Sequence, residues 1–176
     1  GIETRPVRGH FCGMWRNIGG DQMNWWRTKW PSRNKQMGPS GPAEGQFWLY
    51  VRANLRNKKP GDKAFLRSKP VYITSGMHLD FVYNMFGSEM GSLSVEVMQN
   101  RKLHTVWTKS GDQGPGWHNA SAFLGNFSGA RRYVYFTYVR GSGILSDIAI
   151  DMVNFMDAPP SPTPAPTPEP TPEPTP

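Results

Sequence analysis

Apolar side chains recur at every second position along much of this chain, and that period belongs to strands. Leu93, Val95 and Val97 alternate with Ser94, Glu96 and Met98, which predicts a strand with one face in a core. In residues 46–53, Phe47, Leu49 and Val51 lie on one face and Trp48 and Tyr50 on the other. Both faces are apolar, as in a central strand. Residues 79–85 read the same way, and 64–67, 104–108, 133–140 and 144–153 are further predicted strands. Between them, Gly87-Ser88, the glycine-rich run 111–116 and Gly141-Ser142-Gly143 supply turn chemistry rather than helix caps. No window carries a sustained helical stripe. Many short strands joined by such turns predict an all-β fold, an antiparallel sandwich or jelly roll.

Composition divides the chain in two. Residues 158–176 repeat Thr-Pro and Glu-Pro with almost no apolar side chain, so φ is fixed at every second residue and a backbone donor is lost there. This predicts an extended polyproline-type linker or stalk, rising about 3.1 Å per residue. Residues 1–157 are long enough for one domain with its own core. Spacers of this composition are typical of exported proteins and accept O-linked sugar, which points to an extracellular, cell-surface or wall location. No run approaches the roughly 18 apolar residues of a membrane span. The first eleven residues have no apolar stretch like that of a signal peptide, so a leader was removed or the sequence is a fragment.

Net charge sharpens the surface. The chain carries +7 with Glu169 and Glu173 in the tail, leaving +9 on the remainder. Arg52, Arg56, Lys58, Lys59, Lys63, Arg67 and Lys69 face only Asp62 within their stretch. That stretch is a candidate polyanion-binding face, with Arg56, Lys58 and Lys59 at its centre, or a solvated lysine-rich loop.

Three ordered stretches carry a family resemblance. Phe11-Cys12-Gly13-Met14-Trp15 is followed by Asp21-Gln22-Met23-Asn24-Trp25; Gly38-Pro39 leads to Gly45-Gln46-Phe47-Trp48-Leu49-Tyr50-Val51, with Ala64-Phe65-Leu66-Arg67-Ser68 behind it. The third runs from Phe81-Val82-Tyr83-Asn84-Met85-Phe86-Gly87 through Gly91-Ser92-Leu93-Ser94-Val95. It continues through Trp107, Gly111-Asp112-Gln113-Gly114 and Trp117 to Val139-Arg140-Gly141 and Asp147-Ile148-Ala149-Ile150-Asp151. Together they resemble the MAM domain, the adhesion module named for meprin, a neuropilin-type protein and receptor phosphatase mu. The resemblance implies a jelly-roll sandwich of two antiparallel sheets and an extracellular adhesion or recognition role. It implies four cysteines in two bridges, yet only Cys12 is present. Met77 stands where the third would be and none follows Asp151. With Ile2-Glu3 matched to the family's Phe-Glu, Cys12's partner falls just before Gly1. By its own chemistry Cys12 is expected to be a buried thiol packing as a small hydrophobe.

Candidate chemistry is sparse. Where the chain ends meet, sandwich modules of this shape often hold a structural calcium or other cation, and the matching carboxylates are Glu3 and Asp151. Asp147 and Asp151, four apart on a strand, share a face, and Arg140 is an alternative partner for them. His10, His78, His104 and His118 have no metal-ligand spacing and no nucleophile elbow is present. A non-enzyme without an organic cofactor is expected. Asn119 and Asn126 head two N-glycosylation sequons in a stretch read as lying between strands. Trp15, Trp25, Trp48, Trp107 and Trp117 are expected in the core, leaving Trp26 and Trp30 as the candidate stacking platforms. Two functions compete. The first is recognition of an extracellular protein, self-association included. The second is a carbohydrate-binding module tethered by its linker to a wall or an enzyme, with an anionic glycan drawn to the basic stretch. Trp25–Trp30, with its interleaved basic residues, also suits single-stranded nucleic acid, which the extracellular setting argues against.

Overall fold

A computed structural model describes residues 11–32 and 34–157. Glu3 and the proline-rich segment 158–176 lie outside these residues. The described chain is built from twelve strands: β1 (Trp15–Asn17), β2 (Trp25–Thr28), β3 (Trp48–Val51), β4 (Lys63–Ser68), β5 (Val71–Ile73), β6 (Met77–Asn84), β7 (Ser92–Gln99), β8 (Lys102–Ser110), β9 (His118–Phe123), β10 (Ala130–Arg132), β11 (Val134–Val139) and β12 (Ile148–Asp157). A single 3₁₀ turn, Gly125–Phe127, is the helical element among them.

Ten strands form two five-stranded antiparallel sheets, β1-β4-β11-β7-β8 and β2-β3-β12-β6-β9, while β5 and β10 pair separately. The order is that of a jelly-roll sandwich, in which sequence neighbours cross between sheets. Period 2 dictates the core. On β7, Leu93, Val95 and Val97 are fully buried while Ser94 and Glu96 are not. They meet Leu66, Phe136 and Tyr138 of the same sheet and Trp25, Val51, Leu79, Phe81, Ile148 and Ile150 of the other. Phe136 is central, its ring 5.0 Å from Phe81 edge-on and 5.2 Å from Trp15. Trp25 is wholly buried, and its indole N–H donates to the Ala64 carbonyl at 3.2 Å. That bond ties one sheet to the other and satisfies the buried indole donor of Trp25.

The runs 79–85 and 46–53 are central strands as expected: β6 lies between β12 and β9, and β3 between β2 and β12. Other expectations are corrected. Ile144 is exposed in the loop before β12, which begins four residues later and is broken by a bulge between Asp151 and Asn154. Asn119 lies on the edge strand β9 rather than between strands. Cys12 is exposed in a turn at φ 49°. Its neighbours Phe11 and Trp15 take the buried positions instead, so the thiol does not pack in the core.

At one end, Gly91 and Gly141 meet backbone to backbone. A Cβ on Gly91 would lie 1.9 Å from the Val139 carbonyl oxygen, and one on Gly141 would lie 1.8 Å from that of Glu89. The Ser146 hydroxyl accepts both glycine amides, at 3.3 and 3.1 Å. A methyl group cannot enter without moving main chain. Gly91→Ala should therefore destabilise the domain by about 2–3 kcal/mol, a melting-temperature loss of roughly 5–10 °C. Gly41→Ala, where none of the described residues lies within 4 Å of the added carbon, should leave calorimetric melting nearly unchanged.

Candidate functional site

The side chains of β2 and β3 that do not enter the core point to the outer face of their sheet. By register these are Trp26 beside Tyr50 and Thr28 beside Trp48. Trp48 is buried there, yet outside the main core cluster. The chain from Trp30 to Gln46 crosses this face and covers it. Gly38 donates to the Phe86 carbonyl at 3.0 Å, and the Trp117 indole N–H donates to the Gly41 carbonyl at 3.1 Å. The amides of Ala43 and Glu44 donate to Asp151 Oδ2 at 3.0 and 3.2 Å.

Between this crossing segment and β3 lies a pocket of about 490 Å³ lined by Trp30, Met37, Pro39, Trp48, Tyr50, Arg52, Asn54, Asp147 and their neighbours. Trp48, Tyr50 and Arg52 are alternate residues, so they follow one another along one face at about 7 Å spacing. Trp30 is 47% exposed at the rim, with the Lys29 ammonium 5.3 Å from its ring. The polar end is held in place. Arg52 Nε donates to Asn54 Oδ1 at 2.5 Å, and the buried Asp147 accepts the Ala53 amide at 2.7 Å. The Ala53 carbonyl accepts from Arg140 Nε at 3.0 Å. Arg140 and Asp147 thus grip the two sides of residue 53. Burial pushes the Asp147 carboxyl up to about 6, against the lowering effect of the Ala53 amide and then of Arg52.

The residues singled out from sequence are distributed over the surface. Trp30 lines the pocket; Trp26 lies half-buried beside Tyr50 on the same face, and its Nε1 has no hydrogen-bond partner among the described residues. Arg56, Lys58 and Lys59 occupy the β3–β4 loop, where the Lys58 ammonium donates to the Gln22 carbonyl. Trp15 and Trp25 are buried in the core, whereas Trp107 and Trp117 are only partly buried. Both sequon asparagines, Asn119 and Asn126, are exposed. Asp151 does not sit beside Asp147: Asp147 precedes β12 and turns to Ala53, while Asp151 lies at the bulge. There its carboxylate accepts the Met152 amide at 2.9 Å as well as those of Ala43 and Glu44. Sequence reasoning missed this role because nothing in the sequence links residues 43–44 to a carboxylate more than a hundred positions away.

The fold and the pocket define a two-sheet antiparallel sandwich with a loop-built cavity on one outer face. The chain belongs to the MAM family: the family model described as MAM domain, meprin/A5/mu matches residues 7–160. It is 36% identical over 156 residues to MAM domain-containing glycosylphosphatidylinositol anchor protein 1 of Rattus norvegicus, covering 81% of this chain and 16% of that protein. It is 32% identical to human MAM domain-containing protein 2, covering 79% of this chain and 20% of the relative. The chain therefore spans no more than about a fifth of these relatives. Among solved structures, a cleaved adhesin domain of Lys-gingipain superposes with a TM-score of 0.61 at 16% identity, over 85% of this chain and 94% of that one. The module TmCBM61 in complex with β-1,4-galactotriose superposes at 0.56 and 13% identity, over 85% and 92%. At such identities these two describe the shared sandwich alone.

Two measurements test the site's construction. Asp151→Ala should speed hydrogen exchange at the Ala43 and Glu44 amides by at least about tenfold, the effect of losing about 1.4 kcal/mol of local protection. For Asp147, the folded carboxyl titrates above the unfolded value of 3.8, so its protonated form favours folding. That contribution is complete below about pH 4 and lost as pH rises through about 6. Asn keeps an oxygen for Ala53 and cannot ionise. The melting temperature of Asp147→Asn relative to the parent should rise between pH 4 and pH 7, by the equivalent of up to about 3 kcal/mol.

Proposed function

We propose that this domain is a non-catalytic recognition module of the cell surface or extracellular space, binding a protein partner and first of all a second copy of itself. The observation that carries the reading is an apolar row on the outer face opposite the pocket end of the same sheet. Phe123, His78 and Met156 are register partners across β9, β6 and β12. Phe123 is 42% and Met156 51% exposed, and the His78 ring lies 5.1 Å from that of Phe123. Met152, 41% exposed, lies at the bulge, beyond the next register row. Aromatic and methionine side chains on a rigid face are what a protein interface is made of. Ser121, Asp80 and Asn154 form the adjoining polar row, with the Ser121 hydroxyl donating to Asp80 at 2.6 Å. That row is suited to fix register.

Membership in a family of adhesion modules supports the reading. So do relatives whose names make them glycosylphosphatidylinositol-anchored proteins, which supports the cell-surface location. Glycosylation at Asn119 or Asn126 belongs to the same extracellular proposal. Asn119 lies two register rows from the apolar row on the same face, so a glycan there would limit how closely a partner approaches. Sedimentation velocity of the chain over a concentration series, with Asn119 unglycosylated, tests the reading. Reversible association is expected, weakened at least about tenfold by Phe123→Ser, a loss of about 1.4 kcal/mol, and unchanged by Trp30→Ala. Strictly monomeric behaviour, or association indifferent to Phe123, would sink the self-association reading.

A further inference from the structure

The pocket beneath the crossing segment uses none of the residues of the apolar row, and its chemistry asks for a different ligand. Its size falls within the usual range for sites that enclose small molecules. One part of its wall is aromatic and aliphatic: Trp30, Trp48, Tyr50 and Met37. The other carries planar polar groups of opposite character, the Arg52 guanidinium, the Asn54 amide and the Asp147 carboxylate, gathered by their bonds to one another and to Ala53.

Each candidate ligand class must satisfy both parts. A purely apolar ligand would strip water from a buried carboxylate and a guanidinium and return no hydrogen bond, which is costly. An anion would suit Arg52 and be repelled by Asp147; a cation would meet the reverse. A ligand with one apolar face and many hydroxyl groups fits both, because every hydroxyl donates and accepts. A pyranose ring has that form. Its C–H face lies flat on an indole or phenol, while its edge hydroxyls donate to Asp147 and accept from Arg52 and Asn54. The near cancellation of charge at the polar end selects an uncharged sugar over a uronic acid.

We infer that the Trp30–Trp48–Tyr50 pocket, closed by Arg52, Asn54 and Asp147, binds a neutral hexopyranose unit of a glycan. The site recognises the sugar without transforming it. Trp30, at the rim, contributes the replaceable stacking surface, and Asp147 the acceptor that a hydroxyl must find.

Titration of the full chain with neutral hexose oligosaccharides tests this, with a uronic-acid oligosaccharide and a synthetic Thr-Pro-Glu-Pro peptide as rivals. Isothermal calorimetry and tryptophan fluorescence are the readouts. At least one neutral oligosaccharide should bind and perturb tryptophan emission. Trp30→Ala, an exposed position whose loss leaves folding intact by circular dichroism, should weaken binding about tenfold or more. Asp147→Asn should weaken it by a similar factor at pH 7, and Phe123→Ser should not change it. Absence of binding by every neutral sugar would overturn the inference. So would preference for the uronic-acid oligosaccharide that grows in Asp147→Asn, or binding confined to the peptide. A sugar that binds while the chain stays monomeric would support the pocket and count against the docking row, so the two readings fail separately.

Discussion

Everything at the site follows from one constraint: the outward face of β3 carries aromatic side chains that cannot be left in water. A strand buried on one side presents alternate residues to solvent, and here those residues include Trp48 and Tyr50. Burying an indole removes on the order of 150–250 Å² of mostly apolar surface from water. The segment from Trp30 to Gln46 supplies the cover. Irregular backbone laid across a sheet has no ladder to satisfy its polar groups, so it is held at points, by the Phe86 carbonyl, the Trp117 indole and the Asp151 carboxylate. A segment fixed at points rather than along its length leaves space beneath it, and the pocket is that space.

The same logic explains why a carboxylate with a raised pKa is tolerated at Asp147. The strand ends of β3, β11 and β12 converge there, and Ala53 leaves both of its backbone polar groups buried. Arg140 and Asp147 satisfy one each. Tyr138 stands in the next layer, its hydroxyl donating to the Ser146 carbonyl at 2.7 Å, and Ser146 in turn accepts the amides of the crossed glycines. Two hydrogen-bonded clusters, one around Ser146 and one around Ala53, are therefore joined through the chain itself at Arg140–Gly141 and Ser146–Asp147. A buried polar cluster with its groups satisfied holds its side chains in place.

How far this was legible in the sequence depends on what each residue faces. β7 was plain because one face meets core and the other water, and β3 and β6 because a central strand in this sandwich is apolar on both faces. β9 was not, since His118, Ala120 and Ala122 give its inner face little apolar signal and an edge strand needs few large side chains. The strands β1, β2, β5 and β10 span three or four residues each, too few for a period to declare itself. Trp48 was correctly expected to be buried, but alternation cannot tell burial in a core from burial under a loop. The pocket joins residues 28–54 to Asp147, and nothing in either stretch announces the other.

Sheet geometry then explains how the two proposed binding surfaces coexist on one module. Both lie on the outer face of β2-β3-β12-β6-β9, and the crossing segment divides them. Where it covers the sheet, aromatic side chains are withdrawn into a cavity that only a small polar-edged ligand can enter. Beyond Asp151, where the segment's anchor ends, Phe123, His78 and Met156 remain on an open, hydrogen-bonded plane. A plane admits broad contact with another protein, and a cavity does not. The bulge at Asp151 is thus the dividing point, because the carboxylate that holds the cover lies at its start and the strand beyond it, from Asn154 to Met156, carries the uncovered rows.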